Sequence, residues 1–220
     1  MRPEFWRDRW SQGQIGFHQR DVDTLLKAHW TDLRIGGGAR VFVPLCGKSL
    51  DINWLCDLGH RIVGVELSDV AVQAYCAENG IPARRRVLKE FDVYEAPRLA
   101  LLCGDYFGLT PSLLGEVSAI YDRAALIAFA ADQRGLYVEH MDEITGARAP
   151  ILLITLEFPQ AEMNGPPFSV DSNEIERLYS RSFLIYELAR RNILAAEPRL
   201  RARGLSQLFE VCYRLVPRRM

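Results

Sequence analysis

The sequence is short of most features that would specialise it early. Neither sign of charge dominates: 27 Lys and Arg face 28 Asp and Glu, for a formal charge of −1. That balance argues against a dedicated duplex nucleic-acid binder or a polybasic membrane protein. Long apolar runs are missing too. The longest, from Ala124 to Ala131, is far too short to cross a bilayer. Cysteine is sparse and odd in number: Cys46, Cys56, Cys76, Cys103 and Cys212 are widely spaced and form no C-x-x-C. Neither a disulfide framework nor a zinc knuckle is expected, only small buried thiols in a reducing compartment. The histidines, His18, His29, His60 and His140, form no local ligand pair and no H-E-x-x-H, so no metal site is expected. MRPEFWRDRW carries charge and tryptophan where a signal peptide has its apolar region. The expectation is a cytoplasmic protein.

What is present fits one α/β domain. The chain has 220 residues, 49% hydrophobic and 25% charged, enough to bury a core without staples. Residues 4–34 predict two helical pieces broken inside GQIGFHQ by Gly13 and Gly16. The second piece spaces Leu25, Leu26, His29, Trp30 and Leu33 at nearly 3.6 residues. Strands and helices then alternate. Strands are predicted at 41–45, 61–67, 99–103, 117–123 and 150–158. Residues 84–95 are strand-like as well. Ser49 can cap a helix with Ile52, Leu55 and Leu58 inward, and Ser68 one with Ala71, Ala74 and Tyr75 inward. A helix covers about 133–145. Another starts at Asp171 or Ser172, with Glu174 placed for a capping box. FLIYELARR and SQLFEVCYRLV predict an antiparallel pair at the sheet edge. No repeat or linker interrupts this order. It argues for one doubly wound domain over 1–220.

In such sheets ligands sit at the carboxyl ends of the strands. The first strand runs into Pro44-Leu45-Cys46-Gly47-Lys48-Ser49. With one glycine this is neither G-x-G-x-x-G nor a Walker A loop, because the residue five before Gly47 is Phe42. Glu66 closes the second strand, 21 residues after Leu45. An acid there can accept hydrogen bonds from both hydroxyls of an adenosine ribose, or can be a solvated strand-end carboxylate. A ribose acid without a pyrophosphate cradle suits S-adenosylmethionine better than NAD. The Cys103-Gly104-Asp105-Tyr106 strand end can shelter adenine or be an ordinary turn. Asp122 and Arg123 close the fourth strand at the pocket mouth, where an arginine suits an anionic substrate or forms a structural ion pair.

At these residues the sequence resembles the thiopurine S-methyltransferase family in its bacterial form. The resemblance rests on FWRDRWSQGQIGFHQ, VFVPLCGKSLDINWLCDLGHRIVGVELS, IYDRAALIA and GPPFSV…EIERLY, and runs essentially end to end. It implies a Rossmann-like class I methyltransferase: a mostly parallel seven-stranded sheet, an antiparallel C-terminal pair and helices on both faces. Residues 1–35 would form an N-terminal lid, with an acceptor-side insertion near 160–170. By position it implies that Trp10, Leu45, Glu66 and Arg123 contact S-adenosylmethionine and that Asp105 and Tyr106 lie on the adenine side. Phe17 would border the acceptor, with Arg199 near it. The implied reaction is methylation of sulfur on aromatic and heterocyclic thiols, with selenium or tellurium species as further acceptors.

Methyl transfer from a sulfonium is an in-line displacement in which the protein mainly aligns the two partners. Arg123, with Arg199, is expected to stabilise the acceptor anion, and Asp122 to orient Arg123. Trp10 and Phe17 are expected in the lid, Trp6 in ordinary packing. Alternatives are an O- or N-methyltransferase of the same fold, a non-catalytic adenosyl-binding protein, or an NAD-dependent oxidoreductase, which the glycine-poor loop opposes. A monomer with no nucleic-acid or membrane partner is expected.

Overall fold

The computed structural model describes residues 3–218; residues 1, 2, 219 and 220 of the expected 1–220 domain lie outside the described residues. In chain order the elements are α1 (Pro3–Ser11), α2 (Thr24–His29), β1 (Arg40–Val43), α3 (Asp51–Asp57), β2 (Arg61–Glu66), α4 (Asp69–Glu78), β3 (Arg84–Leu88), β4 (Phe91–Ala96) and β5 (Leu99–Cys103). There follow α5 (Pro111–Leu114), β6 (Ala119–Arg123), α6 (Ala131–Thr145), β7 (Ile151–Glu157), α7 (Ser172–Tyr179), β8 (Phe183–Asn192), α8 (Pro198–Ala202) and β9 (Phe209–Pro217).

All the strands join one sheet in the order β3-β4-β5-β2-β1-β6-β7-β9-β8. The central run from β5 to β7 is parallel, and each flank adds two antiparallel strands. Among the described residues the sheet therefore has nine strands rather than the expected seven. The difference lies in residues 84–96. Lys89 turns at φ 55° and Leu88 pairs with Phe91, so the segment folds back as a two-residue hairpin. The exposed edge β3 carries Arg84, Arg85 and Arg86. Across the hairpin Arg85 meets Asp92 at 2.7 Å and Arg86 meets Glu95 at 2.8 Å.

Strand alternation divides the core between two faces. Val41 and Val43 of β1, Ala119 and Tyr121 of β6, and Leu152 and Ile154 of β7 pack with Leu25, Leu26 and Trp30 and with Ile52, Leu55, Val72 and Tyr75 of α3 and α4. Phe42, Ile120, Ile151 and Leu153 point the other way, toward Tyr137, Met141, Ile175 and Tyr179 of α6 and α7. Helices cover both faces, as expected. Two inward assignments change. Leu58 is exposed, because α3 ends at Asp57 and the chain turns at Gly59 with φ 89°. Val72, rather than the half-buried Ala74, completes the inward face of α4.

β1 lies between β2 and β6, so successive crossovers leave in opposite directions there and open a crevice at the carboxyl ends. Gly64 lets the chain after β1 fold back over β2. A Cβ on it would lie 2.8 Å from both Cys46 Sγ and Leu101 Cδ2. Gly64→Ala is expected to cost about 1–3 kcal/mol through overpacking, seen as a lower urea midpoint with an unchanged m-value.

Candidate active site

Glu66 ties together the loops that follow β1 and β2. Its Oε2 accepts the Gly47 amide at 2.8 Å and its Oε1 the Ser68 amide at 2.9 Å. The loop after β1 reaches it through two left-handed residues, Leu45 at φ 46° and Gly47 at φ 53°. Leu45 is a strained position for a side chain with a Cβ, the kind of backbone that collects at functional sites. Burial pushes the Glu66 carboxyl up, while the Ser68, Gly47 and Leu67 amides pull it back. Each oxygen keeps lone-pair capacity beyond its one amide. The Glu66 carbonyl accepts Gly104 N at 2.9 Å, which brings the end of β5 alongside.

Asp105 stands exposed in that third loop and accepts the Phe107 amide at 3.0 Å. Tyr106 faces elsewhere. Its side chain is buried, its hydroxyl donates to the Tyr137 carbonyl at 3.0 Å, and its ring packs on Tyr137 and His140. Its side chain belongs to the core rather than to the adenine side.

Arg123 sits at the end of β6 with its Nε 3.0 Å from Asp51 Oδ2. Asp51 is 1% exposed and also accepts the Tyr121 hydroxyl at 2.9 Å and the Asp23 amide at 2.8 Å. Burial opposes the charge on Arg123, but Tyr121 and Asp51 outweigh it and raise its pKa. Among the described residues, no group accepts a hydrogen bond from its two terminal nitrogens. Asp51, not Asp122, orients this arginine. Neighbours in a strand point to opposite faces, and Asp122 lies on the other one, accepting Tyr137 OH at 2.7 Å and Leu126 N at 3.2 Å. Sequence reasoning missed Asp51, although it stands four residues before the inward Leu55 and so shares that helical face.

The N-terminal segment closes over this ground. Trp10 is buried, and a Cβ on Gly47 would lie 3.1 Å from its Cζ2. Phe17, 37% exposed, meets Trp10 edge-on at 5.4 Å and Trp6 at 5.6 Å. Trp6 packs edge-on against Phe17 in the same aromatic cluster. Arg199 on α8 places Nη1 3.4 Å from where a Gly16 Cβ would stand, next to Phe17. Leu45, Glu66 and Gly104 therefore line one side, Arg123 and Asp51 another, with Trp10 on Gly47 and Phe17 beside Arg199. His18 lies within electrostatic reach of Lys48 and Arg123; burial, then Lys48, pushes its pKa down.

The family model for thiopurine S-methyltransferase (TPMT) matches residues 1–219. The chain is 44% identical over 218 residues to the thiopurine S-methyltransferase of Nitrosospira multiformis, covering 99% of each. It is 46% identical to that of Methylococcus capsulatus, covering 97% of this chain and 96% of the relative. The chain belongs to the thiopurine S-methyltransferase family. It is accordingly an S-adenosylmethionine-dependent enzyme that methylates sulfur. Among solved structures, the fold is similar to the Burkholderia thailandensis 1,6-didemethyltoxoflavin-N1-methyltransferase. The TM-score there is 0.63 at 15% identity, covering 97% of this chain and 87% of that one. Among the described residues, no helix is long and apolar enough to cross a membrane.

The residues suit the family's methyl donor. Glu66 offers free lone pairs to a ribose, and the single glycine of the first loop offers no diphosphate cradle. The two cysteines at these loops are not ready nucleophiles. Burial raises the Cys46 thiol well above its ordinary range and lifts Cys103 to about 12, so both stay protonated beside an alkylating donor.

Asp122 supplies a pH test of the opposite face. Burial lifts its carboxyl from 3.8 to about 6, against its Tyr137, Leu126 and Ala125 hydrogen bonds. The folded state holds that proton more tightly than the unfolded chain. The resulting stability is full below pH 3.8 and is lost as pH rises through about 6, up to about 3 kcal/mol in all. In Asp122→Asn, denaturant titrations from pH 4 to 7 are expected to lose that slope, with Arg123 left in place.

Proposed function

We propose that the crevice over β1, β2, β5 and β6 binds S-adenosylmethionine and methylates the sulfur of flat aromatic or heterocyclic thiols. Glu66 receives the ribose hydroxyls, Asp105 and its loop border the adenine, and Leu45 and Trp10 enclose the remainder. The bound donor supplies a methyl group already activated as a sulfonium. The chain's own residues hold the acceptor and its charge. Phe17 gives a flat apolar wall, and Arg199 a cation beside it. Residues 1–35 act as a lid on one domain that works as a cytoplasmic monomer, without metal, nucleic-acid or membrane partner.

The observation that carries this reading is Arg123. Asp51 fixes its Nε and leaves both terminal nitrogens for a ligand at the strand ends. A guanidinium held there stabilises a thiolate, or the ring nitrogen that takes its charge, in a partly dry site. A thiolate is far more nucleophilic than its thiol. The same site disfavours phenol and amine acceptors, which do not ionise to anions as readily near neutral pH.

Arg123→Ala is expected to lower kcat/KM for a heteroaromatic thiol by about 10²–10³-fold, with Arg123→Lys in between. Wild-type rates in both variants would sink the assignment. Trp10→Ala is expected to weaken S-adenosylhomocysteine binding about tenfold, in keeping with one lost aromatic contact of 0.5–1.5 kcal/mol; calorimetry measures it. A radiolabelled methyl-transfer screen of aromatic thiols, selenite, tellurite and matched phenols and amines tests the acceptor class, and transfer confined to phenols or amines would overturn it.

A further inference from the structure

β9 carries a carboxylate that none of these roles uses. Glu210 stands in register with Leu156 on β7 and Arg191 on β8. Two residues on, Cys212 pairs with Ile154, which pairs with Arg123. Strand alternation places Glu210, Cys212, Ile154 and Arg123 on one face of the sheet. Because β9 runs antiparallel to β7, Glu210 lies one pleat beyond Arg123 toward the carboxyl ends, on the side of the site. Arg191 on the same face reaches across to Thr24 Oγ1 at 2.9 Å. Glu210 therefore lies beneath the start of α2, where Asp23 donates to Asp51.

Glu210 is half-buried, and among the described residues none donates a hydrogen bond or ion pair to it. The charged groups acting on it are Asp23 and Glu197, which disfavour its ionisation, and Arg123 and Arg191, which favour it. Burial, then Asp23, outweighs the two arginines and pushes the carboxyl up to about 7. A general base works best with a pKa near the operating pH and with its lone pairs free.

We propose that Glu210 is the general base of the acceptor site. The inference rests on the acceptor being a thiol. The S–H bond breaks, its proton forms an O–H bond on Glu210, and the electron pair stays on sulfur, facing Arg123. The methyl transfer that defines the family then uses that pair, and the Glu210 proton passes to water when product leaves. Glu210 thereby extends the enzyme to thiols too weakly acidic to ionise unaided, while acceptors that arrive as thiolates do not need it.

The test compares wild type, Glu210→Gln and Glu210→Asp on two acceptors, a heteroaromatic thiol already ionised at pH 7 and a weakly acidic alkyl thiol. Glu210→Gln is expected to lower kcat/KM about 10²-fold for the alkyl thiol and to leave the ionised acceptor nearly unchanged. Glu210→Asp should recover part of the loss. The wild-type rise of kcat/KM through about pH 7 with the alkyl thiol should vanish in Glu210→Gln. Independently of turnover, the ultraviolet thiolate band of a weakly acidic thiol bound with S-adenosylhomocysteine should appear at lower pH in Glu210→Gln, because a neighbouring carboxylate charge disfavours the thiolate. Equal losses on both acceptors, or none on either, would overturn the proposal. So would a pH limb that survives in Glu210→Gln but disappears in His18→Asn. Wild type that methylates neither thiol would instead overturn the S-methylation reading beneath it.

Discussion

One buried anion holds the working end of this molecule together. Asp51 gathers a backbone amide from Asp23, a hydroxyl from Tyr121 and a guanidinium nitrogen from Arg123. These come from the N-terminal segment, from the middle of β6 and from its tip. A carboxylate with 1% exposure is tolerable only because its lone pairs are used and a cation stands beside it. The same bonds fix where the chain re-enters the fold after Phe17 and in which direction Arg123 extends. Removing the carboxylate would strand a buried guanidinium and free the N-terminal segment together, so shape and electrostatics at this site are one property.

Glu66 does comparable work on the other side of β1. It bridges two loops by their amides, and its backbone carbonyl draws in a third. The two carboxylates divide the crevice chemically. Around Glu66 the available groups are acceptors and turned backbone, suited to hydroxyls. Around Asp51 the group presented outward is a cation, suited to an anion. In the proposed reading, a donor bearing a ribose and an acceptor bearing negative charge are sorted to different halves. The aromatic cluster of Trp6, Trp10 and Phe17 spans both halves, since Trp10 lies on the Glu66-bound Gly47 while Phe17 lies beside Arg199.

Much of this was legible in the sequence, through two kinds of signal. Apolar runs such as VFVPL and RIVGVEL, buried on both faces, located the parallel core and therefore the strand ends. Local caps were readable where one side chain does the work, as Ser68 and Asp171 do. Long-range pairing was not readable. Glu174 sits where a capping box would place it, yet its carboxylate joins Arg134 and Arg177. Asp122 looked like the partner of Arg123 because the two are adjacent, but adjacency in a strand separates side chains. Asp51 and Glu210 escaped because no motif marks them. Only the three-dimensional convergence of helix α3, strand β6 and strand β9 gives them their neighbours. The extra hairpin escaped for another reason: its turn is made by Lys89 and Glu90, which carry none of the usual glycine or asparagine cues.

The hairpin has a consequence at the rim of the sheet. An unpaired strand is a template on which other chains can grow, and β3 is such a rim. Its three consecutive arginines place long, hydrated side chains along both sides of the open backbone. Any strand seeking to dock there must strip water from them first. Two of those guanidinium groups are already matched by Asp92 and Glu95 on the neighbouring strand, so the basic run casts only a weak field. Guarding an edge usually means leaving a charged strip exposed. Here the guard is neutralised from behind, so the rim repels strands by steric and hydration forces while staying electrically quiet.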